Sequence, residues 1–440
     1  MLTRSPVPFN DSMTGHAVDR DAQALMKEAR RRRRRRWSVG VVVVVAVVVA
    51  TLVAAIHGGG PPSATRVIPP GPAPRLIARW TPSDPSGGSL PLGAQITDVV
   101  SFRGHVLASG LFFPPCTSPG EPACTPAEKV LEPVVWSSAA KGKWNEAWNS
   151  DGVTLGTGTV QHLVITPDGV LLFDSGMATA LWRSTNGVTF TRVNLPPAME
   201  ALSVSDATWG HGLTVAILSN RFAGGPDKVY GQSDTVWTSA NGSTWTQSPL
   251  SQVAVLAAVT TTSSGFLMGG QTKSTKRPTV WTSADGMQWT ATTLPGIPGD
   301  GSETTAVASI GRDMTAVVGV AGVGPGMYWW STNGTKWMRT TLAGGSSGTS
   351  TNPVATPTGL IAWDASYPGS DGAGVELWSS PNGVRWHQVI LRGAPRTSRS
   401  VLEGLYPDQG GALALISLPP SPSSNSPERY QVWQVSLTRR

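Results

Sequence analysis

The stretch WTSANGSTW, residues 237–245, decides the fold because its pattern recurs along the chain. The pattern W-x-S-x-[ND]-G-x-x-[WF] occurs five times with unchanged internal spacing, and the first tryptophans of successive copies lie 44 to 55 residues apart. A repeat of this length is typical of arrays and propellers. The first tryptophan and the turn residue of each copy are Trp182 and Asn186, Trp237 and Asn241, Trp281 and Asp285, Trp329 and Asn333, and Trp378 and Asn382.

Each copy predicts a strand, a turn and a second strand, because Asn-Gly and Asp-Gly tolerate the positive φ angles of a tight hairpin. The preceding serine can hydrogen-bond to the local backbone. Upstream of each copy lies a further hairpin-like stretch, such as VTTTSSGFLMGG at 259–270. Four strands per repeat make one blade of a β-propeller. Because both faces of a blade pack on neighbouring blades, the 18 tryptophans need no binding site to explain them.

Two partial copies bring the count to seven. One begins at Trp136 and the other ends the chain at Trp433. We therefore expect an all-β, seven-bladed β-propeller over residues 75–440. The last blade is one strand short, and the segment IARWTP at 77–82 resembles the outer strands of other blades. We expect this segment to complete the last blade and lock the ring.

The repeat resembles the Asp-box (BNR) repeat of sialidase-like propellers, of the membrane-anchored or secreted bacterial type. The usual form of that repeat is S-x-D-x-G-x-x-W. The copies here are one residue shorter, and asparagine replaces aspartate in four of the five. The resemblance covers roughly residues 75–437 and implies the fold. It implies little about function, since in that family the Asp box is a structural turn away from the catalytic face.

The N-terminal region predicts a membrane anchor. Residues 37–56 are uncharged and rich in valine, and a helix of about 20 residues spans about 30 Å of hydrocarbon. Seven arginines at 30–36 precede it, which places the tail in the cytoplasm. We therefore expect a cytoplasmic tail (1–36), a transmembrane helix (37–56) and a Gly/Pro-rich stalk (57–74). The propeller would lie outside the cell membrane, with the lipid bilayer as one partner. The alternative is a cleaved signal peptide, but its apolar region is usually shorter, so we favour a retained signal anchor.

The charge distribution argues against nucleic acid as a partner. The tail holds ten lysines and arginines against four acids, which accounts for +6 of the net charge of +7. The remaining residues carry 24 basic and 23 acidic groups, a net of +1. Basic charge confined to one terminus does not make a nucleic-acid-binding face.

The two cysteines, Cys116 and Cys124, enclose the short segment TSPGEPA. On the outer side of a membrane this spacing predicts a disulfide that closes a surface loop. A metal site would need further ligands nearby, and none is evident in the sequence. We expect neither a metal nor a cofactor.

The sequence favours a binding module over an enzyme. A sialidase-like site would need an arginine cluster, a tyrosine nucleophile partnered by a glutamate, and an acid/base aspartate. No residue can be assigned to any of these catalytic roles. We therefore expect a non-catalytic binding or scaffold module for a protein or glycan of the cell envelope. A sialidase-like glycoside hydrolase is the alternative.

The candidate ligand-binding residues come from loops on one face of the ring. Propeller loops alternate between faces, and those before each third strand are longer and carry charge. Arginine and tyrosine are favoured at interfaces, although solvated loops also collect charge. The candidates are Arg221, Tyr230, Arg277, Tyr367, Arg396 and Arg399.

Overall fold

The computed structural model describes the propeller region of the chain. Of the two compact units of the chain, it falls within the one formed by Pro72–Cys124 and Lys129–Arg440. The predicted tail, transmembrane helix and stalk, and both cysteines, lie outside the described residues. Within the described residues, no helix is long and apolar enough to cross a membrane. The described residues are 76–82, 89–91, 93–112, 132–139, 143–149, 160–175, 179–219, 234–252, 254–296, 303–310, 315–321, 327–341, 353–364, 376–392, 401–418 and 429–439.

Six sheets of the described chain are four-stranded antiparallel blades, each built from one continuous segment. The first three are Ala94–Phe102 (β2), His105–Phe112 (β3), Glu132–Ala139 (β4) and Asn145–Asn149 (β5); Val160–Thr166 (β6), Gly169–Ser175 (β7), Thr179–Ser184 (β8) and Thr191–Val193 (β9); and Ser203–Gly210 (β10), Leu213–Ser219 (β11), Thr235–Ser239 (β12) and Thr246–Ser248 (β13). The next three are Ala254–Thr262 (β14), Gly265–Thr272 (β15), Pro278–Ser283 (β16) and Thr290–Thr293 (β17); Glu303–Ile310 (β18), Thr315–Ala321 (β19), Met327–Ser331 (β20) and Met338–Thr341 (β21); and Val354–Thr356 (β22), Gly359–Asp364 (β23), Glu376–Ser380 (β24) and His387–Gln388 (β25). A four-residue helix, Pro197–Glu200 (α1), joins the second blade to the third.

The second strand of a blade is apolar and buried on both faces. In β11 the residues from Thr214 to Ser219 are all buried, and in β15 the residues from Gly265 to Gly270 are buried as well. Strict alternation of buried and exposed residues would indicate a sheet with one solvated face, whereas a continuous buried run indicates a sheet covered on both. The core of this molecule therefore lies between blades.

The first strands of the sheets form the inner wall of a closed ring. β2 contacts β6, and the contacts continue through β10, β14, β18 and β22. Strand Val401–Asp408 (β27) contacts both β22 and β2 and so completes the circle.

The sheet that contains β27 joins the two ends of the propeller region. Its other strands are Gly411–Leu418 (β28), Arg429–Arg439 (β29), Leu76–Pro82 (β1) and Ile390–Arg392 (β26), in that order from the inside outwards. We call this the closing sheet. β1 pairs antiparallel with β29 along its whole length, from Leu76 opposite Arg439 to Pro82 opposite Trp433. The prediction that the segment around Trp80 completes the last sheet is thus confirmed.

The prediction of an all-β propeller is confirmed, but the rest of the predicted fold class is not. The prediction of seven equivalent blades behind a transmembrane helix is wrong. Six sheets of the described chain are four-stranded blades, whereas the closing sheet has five strands. The extra strand, β26, is the continuation of β25, and it pairs in parallel with β1. The sequence hid this because HQVILR at 387–392 carries no turn signal where it leaves one sheet for the next.

The antiparallel order divides the loops between two faces. The hairpin between the first and second strands and the repeat turn between the third and fourth lie on one face, which we call the turn face. The opposite face, where each second strand ends and each third strand begins, we call the loop face.

Candidate functional site

The repeat turns are structural units. Asn241 Oδ1 accepts hydrogen bonds from the backbone N–H groups of Ser243 and Thr244, both at 2.8 Å. Ser239 Oγ accepts from Gly242 N at 2.9 Å. The positive φ falls on Gly242 alone, at 70°, rather than on both residues of the Asn-Gly pair. The same bonds recur at Asn186, Asp285 and Asn333, so asparagine and aspartate serve equally as turn acceptors.

The aromatic residues of the repeat lie in the packing between strands and blades. The first tryptophan is buried in four of the five copies, and the half-buried Trp182 packs on Trp148 with ring centroids 4.9 Å apart. The second aromatic residue is buried in every copy: Phe190, Trp245, Trp289, Trp337 and Trp386. These rings stabilise the fold by burying apolar area.

Titratable groups gather instead on the inner wall. Asp98, His162 and Asp206 each stand four residues before the end of their inner strand, on three consecutive strands, β2, β6 and β10. We call these three residues the inner-strand belt. Four residues before the end of β14, β18 and β27 stand the small residues Ala258, Ala306 and Gly404, and the equivalent position before β22 lies outside the described residues.

Each aspartate of the belt bridges its own strand and the next one. Asp98 Oδ1 accepts from Val99 N and Oδ2 from Leu163 N on β6, both at 2.8 Å. A β-bulge between Ile96 and Asp98 turns the carboxylate toward the neighbouring strand. Asp206 repeats this arrangement after its own bulge: Oδ1 accepts from Ala207 N at 2.8 Å, and Oδ2 from Val259 N on β14 at 2.7 Å.

His162 lies between the two aspartates in the order of the blades. Its Nδ1 is 4.0 Å from Asp206 Oδ1, and the two side chains are 20% and 26% exposed. The imidazole also hydrogen-bonds to the backbone of Ser205. Nε2 is buried and has no hydrogen-bond partner among the described residues. Polar contacts therefore run across four inner strands, from β2 to β14.

Burial dominates the electrostatics of the belt. It raises the pKa of Asp98 to about 7, although the hydrogen bonds from Leu163 N and Val99 N act in the opposite direction. The negative charge of Asp206 raises it further. Burial likewise raises the pKa of Asp206 to about 7, against its two backbone hydrogen bonds. It lowers the pKa of His162 to about 4, so the imidazole is neutral at physiological pH.

Tyr406 on β27 crosses from the closing sheet to the first blade. Its hydroxyl donates to the carbonyl of Thr97 at 3.4 Å. Burial, followed by the charges of Asp98 and Glu403, raises the pKa of this phenol. Glu403 in turn accepts a hydrogen bond from Ser417 Oγ at 2.7 Å. A tyrosine nucleophile needs a lowered pKa or a base that takes its proton, whereas the pKa of Tyr406 is raised and its hydroxyl donates to a backbone carbonyl.

Among the predicted ligand residues, Arg277 is the one within the described part of the chain. Arg221, Tyr230, Tyr367, Arg396 and Arg399 lie outside it. Arg277 is exposed on the loop face, in the loop 273–277 between β15 and β16, which we call the basic loop.

The basic loop has a defined conformation. Lys276 N donates to Thr272 O at 2.8 Å, and Thr272 N donates to Arg277 O at 3.2 Å. Lys276 has a φ of 50°, an uncommon value for a residue with a side chain. The loop also carries Lys273, and none of its three cations forms an ion pair within the described residues. The backbone therefore holds three cations on one short loop, with Lys273 half-buried and Lys276 and Arg277 exposed.

Reasoning from the sequence missed the belt. Asp98, His162 and Asp206 are each followed, five residues later, by the first residue of a hairpin turn, namely Arg103, Pro167 and His211. The signal was a titratable residue at that fixed distance before each of three hairpin turns. An alignment on the repeat tryptophans does not bring these three positions into register. Within the described chain, no three His, Cys, Asp or Glu side chains are placed to hold a metal ion.

Comparison with known proteins identifies a fold and no family. No protein-family model matches the chain, and no curated protein matches its sequence. Its structure is similar to that of streptogramin B lyase, with a TM-score of 0.50 and 9% identity over 82% of this chain and 98% of that one. It also matches YCF48 bound to a D1 peptide, with a TM-score of 0.47, 12% identity, and 81% and 96% of the two chains covered. The WD40 β-propeller domain of Doa1 matches with a TM-score of 0.47 and 13% identity, over 81% of this chain and 97% of that one. At these identities the likeness to the lyase concerns the fold alone, and the other two scores add no argument.

Proposed function

We propose that this chain is a non-catalytic binding or scaffold module of the cell membrane that binds a protein or glycan of the cell envelope through its loop face. The observation that carries the proposal is the basic loop. Lys273, Lys276 and Arg277 are presented there by a hydrogen-bonded backbone and without ion-pair partners among the described residues. Cations held this way attract an anionic surface and need little ordering when it binds.

The position of the chain ends supports the loop face as the binding face. β29 runs toward the turn face, and β1 begins opposite its end, with Leu76 paired to Arg439. Both ends of the propeller region therefore lie on the turn face. The loop face carries the basic loop and, at the end of β26, the exposed Arg392.

The state of the inner wall favours a binding module over the hydrolase. The carboxylates of Asp98 and Asp206 accept backbone hydrogen bonds with both oxygens. Tyr406, which lies near Asp98, has a raised pKa, the opposite of what a nucleophile needs. The two aspartates of the belt thus hold neighbouring strands together.

The experiment is capture of partners from solubilised envelope by the full chain, together with a glycan array. We expect an anionic envelope component to be retained, and its retention to fall at least tenfold in the triple variant K273A/K276A/R277A. Salt should weaken the binding, because exposed charges are screened.

The matched control is R192A/R339A/R385A, which removes the same charge from three exposed positions on outer strands and a repeat turn. We expect this control to bind as the wild type does. Equal losses in both variants would mean that net charge alone acts and would contradict a loop-face site. Turnover of an arrayed glycan would favour the sialidase-like alternative instead.

A further inference from the structure

The inner-strand belt has a property that its bridging role does not require. Asp98 and Asp206 span the seams β2–β6 and β10–β14, and His162 spans the seam between them. Three groups that exchange protons thus occupy three successive contacts of the inner wall. We propose that Asp98, His162 and Asp206 form a proton-responsive seam that sets how tightly β2, β6, β10 and β14 are held together.

The charges around the belt make it sensitive to protons. β27 contributes the phenol of Tyr406, on which the charges of Asp98 and Glu403 both act, and β10 contributes Asp206, which acts on Asp98 through its charge. β6 contributes His162, 4.0 Å from Asp206. No lysine or arginine forms an ion pair with either aspartate among the described residues. Burial disfavours the charged form of a carboxylate that has no neighbouring cation, so such a group takes up a proton readily.

The direction of the response follows from linkage. The pKa of each aspartate rises from 3.8 to about 7 on folding, so its contribution to stability is complete below pH 3.8 and is lost as the pH rises through about 7. The pKa of His162 falls from 6.5 to about 4, so its contribution is present above pH 6.5 and is lost as the pH falls through about 4. Between pH 4 and 6.5 folding adds a proton to each of the two aspartates and removes one from the histidine. Folding therefore takes up about one proton in net.

The local test uses the two bridged amides of the full chain. The N–H groups of Leu163 and Val259 donate directly to Asp98 and Asp206, so their NMR shifts report the charge of each carboxylate. We expect both amides to titrate with an apparent midpoint near pH 7. Flat shifts between pH 5 and 8.5, or midpoints below pH 5, would overturn the proposal even if no variant could be purified.

The global test is denaturant unfolding of the full chain at a series of pH values. The wild type should lose stability as the pH rises from 5 to 8. In D98N/D206N, His162 is the one member of the belt that still titrates. The unfolding free energy of this variant should therefore rise with pH below pH 6.5 and be independent of pH above it. The variants are compared by the slope of the unfolding free energy against pH. The free energy at a single pH is not compared, because removing the two charges also changes it.

The control is D285N. Asp285 is an exposed turn carboxylate whose pKa is lowered, chiefly by hydrogen bonds from Gln288 N and Met287 N. Its removal should leave the slope between pH 5 and 8 unchanged. A wild-type slope that persists in D98N/D206N would assign the pH dependence to other groups and refute the seam. These outcomes are independent of whether an envelope partner is found.

Discussion

At the scale of single residues, the repeat works through side-chain acceptors that replace missing backbone partners. Asn241 satisfies two N–H groups of its turn, and Asp285 does the same in the next blade. Because the acceptor oxygen is what the turn needs, replacing Asn241 with alanine should cost about 1 to 2 kcal/mol of unfolding free energy. Chemical denaturation measures this directly.

The conservative variant N241D provides the control for that prediction. It keeps an acceptor oxygen in the same place, so its stability should stay within about 0.5 kcal/mol of the wild type. If N241A were as stable as N241D, the hydrogen bonds to Asn241 would contribute nothing to stability.

The residue scale also marks the limit of prediction from this sequence. The turn residues could be found because a turn needs particular chemistry at neighbouring positions, and Ser239, Asn241 and Gly242 supply it within four residues. Asp98 could not be given its role in the same way. Its partner Leu163 is 65 residues away, and only the ring brings the two strands side by side.

At the scale of elements, one short segment serves two sheets. Residues 387–388 pair with β24, Val389 N donates to Leu377 O at 2.8 Å, and β26 then pairs with β1. Val389 is 5% exposed and belongs to a cluster that contains Ala78 and Val435 of the closing sheet. The segment thus joins the last four-stranded blade to the closing sheet, which explains the fifth strand.

Val389 and its neighbour Ile390 allow a matched test of this junction. V389A removes buried methyl groups and should lower the unfolding free energy by about 2 kcal/mol. Ile390 is 42% exposed, so I390A should cost less than about 1 kcal/mol. Thermal or urea unfolding of the two variants checks the difference, and equal losses would mean that Val389 does not anchor the junction.

At the scale of the whole molecule, stability depends on a pairing between distant parts of the chain. β1 forms a seven-residue ladder with β29, buries Ala78 completely, and lies between β29 and β26. A chain that starts at residue 85 should therefore be less stable by about 3 kcal/mol or more than one that starts at residue 73, since a strand ladder and buried area are lost together. The two melting temperatures measure this.

The comparison of the two truncated chains also separates the strand from the region before it. The chain that starts at residue 73 should melt close to the full chain, because it keeps the whole of β1. Identical melting temperatures for the starts at 73 and 85 would contradict closure by β1. The existence of this closure could be predicted from the missing strand, whereas the parallel fifth strand could not.

The neighbouring ends of β1 and β29 have a practical consequence for engineering. Because Leu76 and Arg439 are paired partners, a short linker could join the two ends, and new ends could be opened in another loop of the ring. A circular permutant opened at the basic loop would place its free ends on the loop face. Comparing its envelope capture with that of the parent chain would show whether that face must be unobstructed.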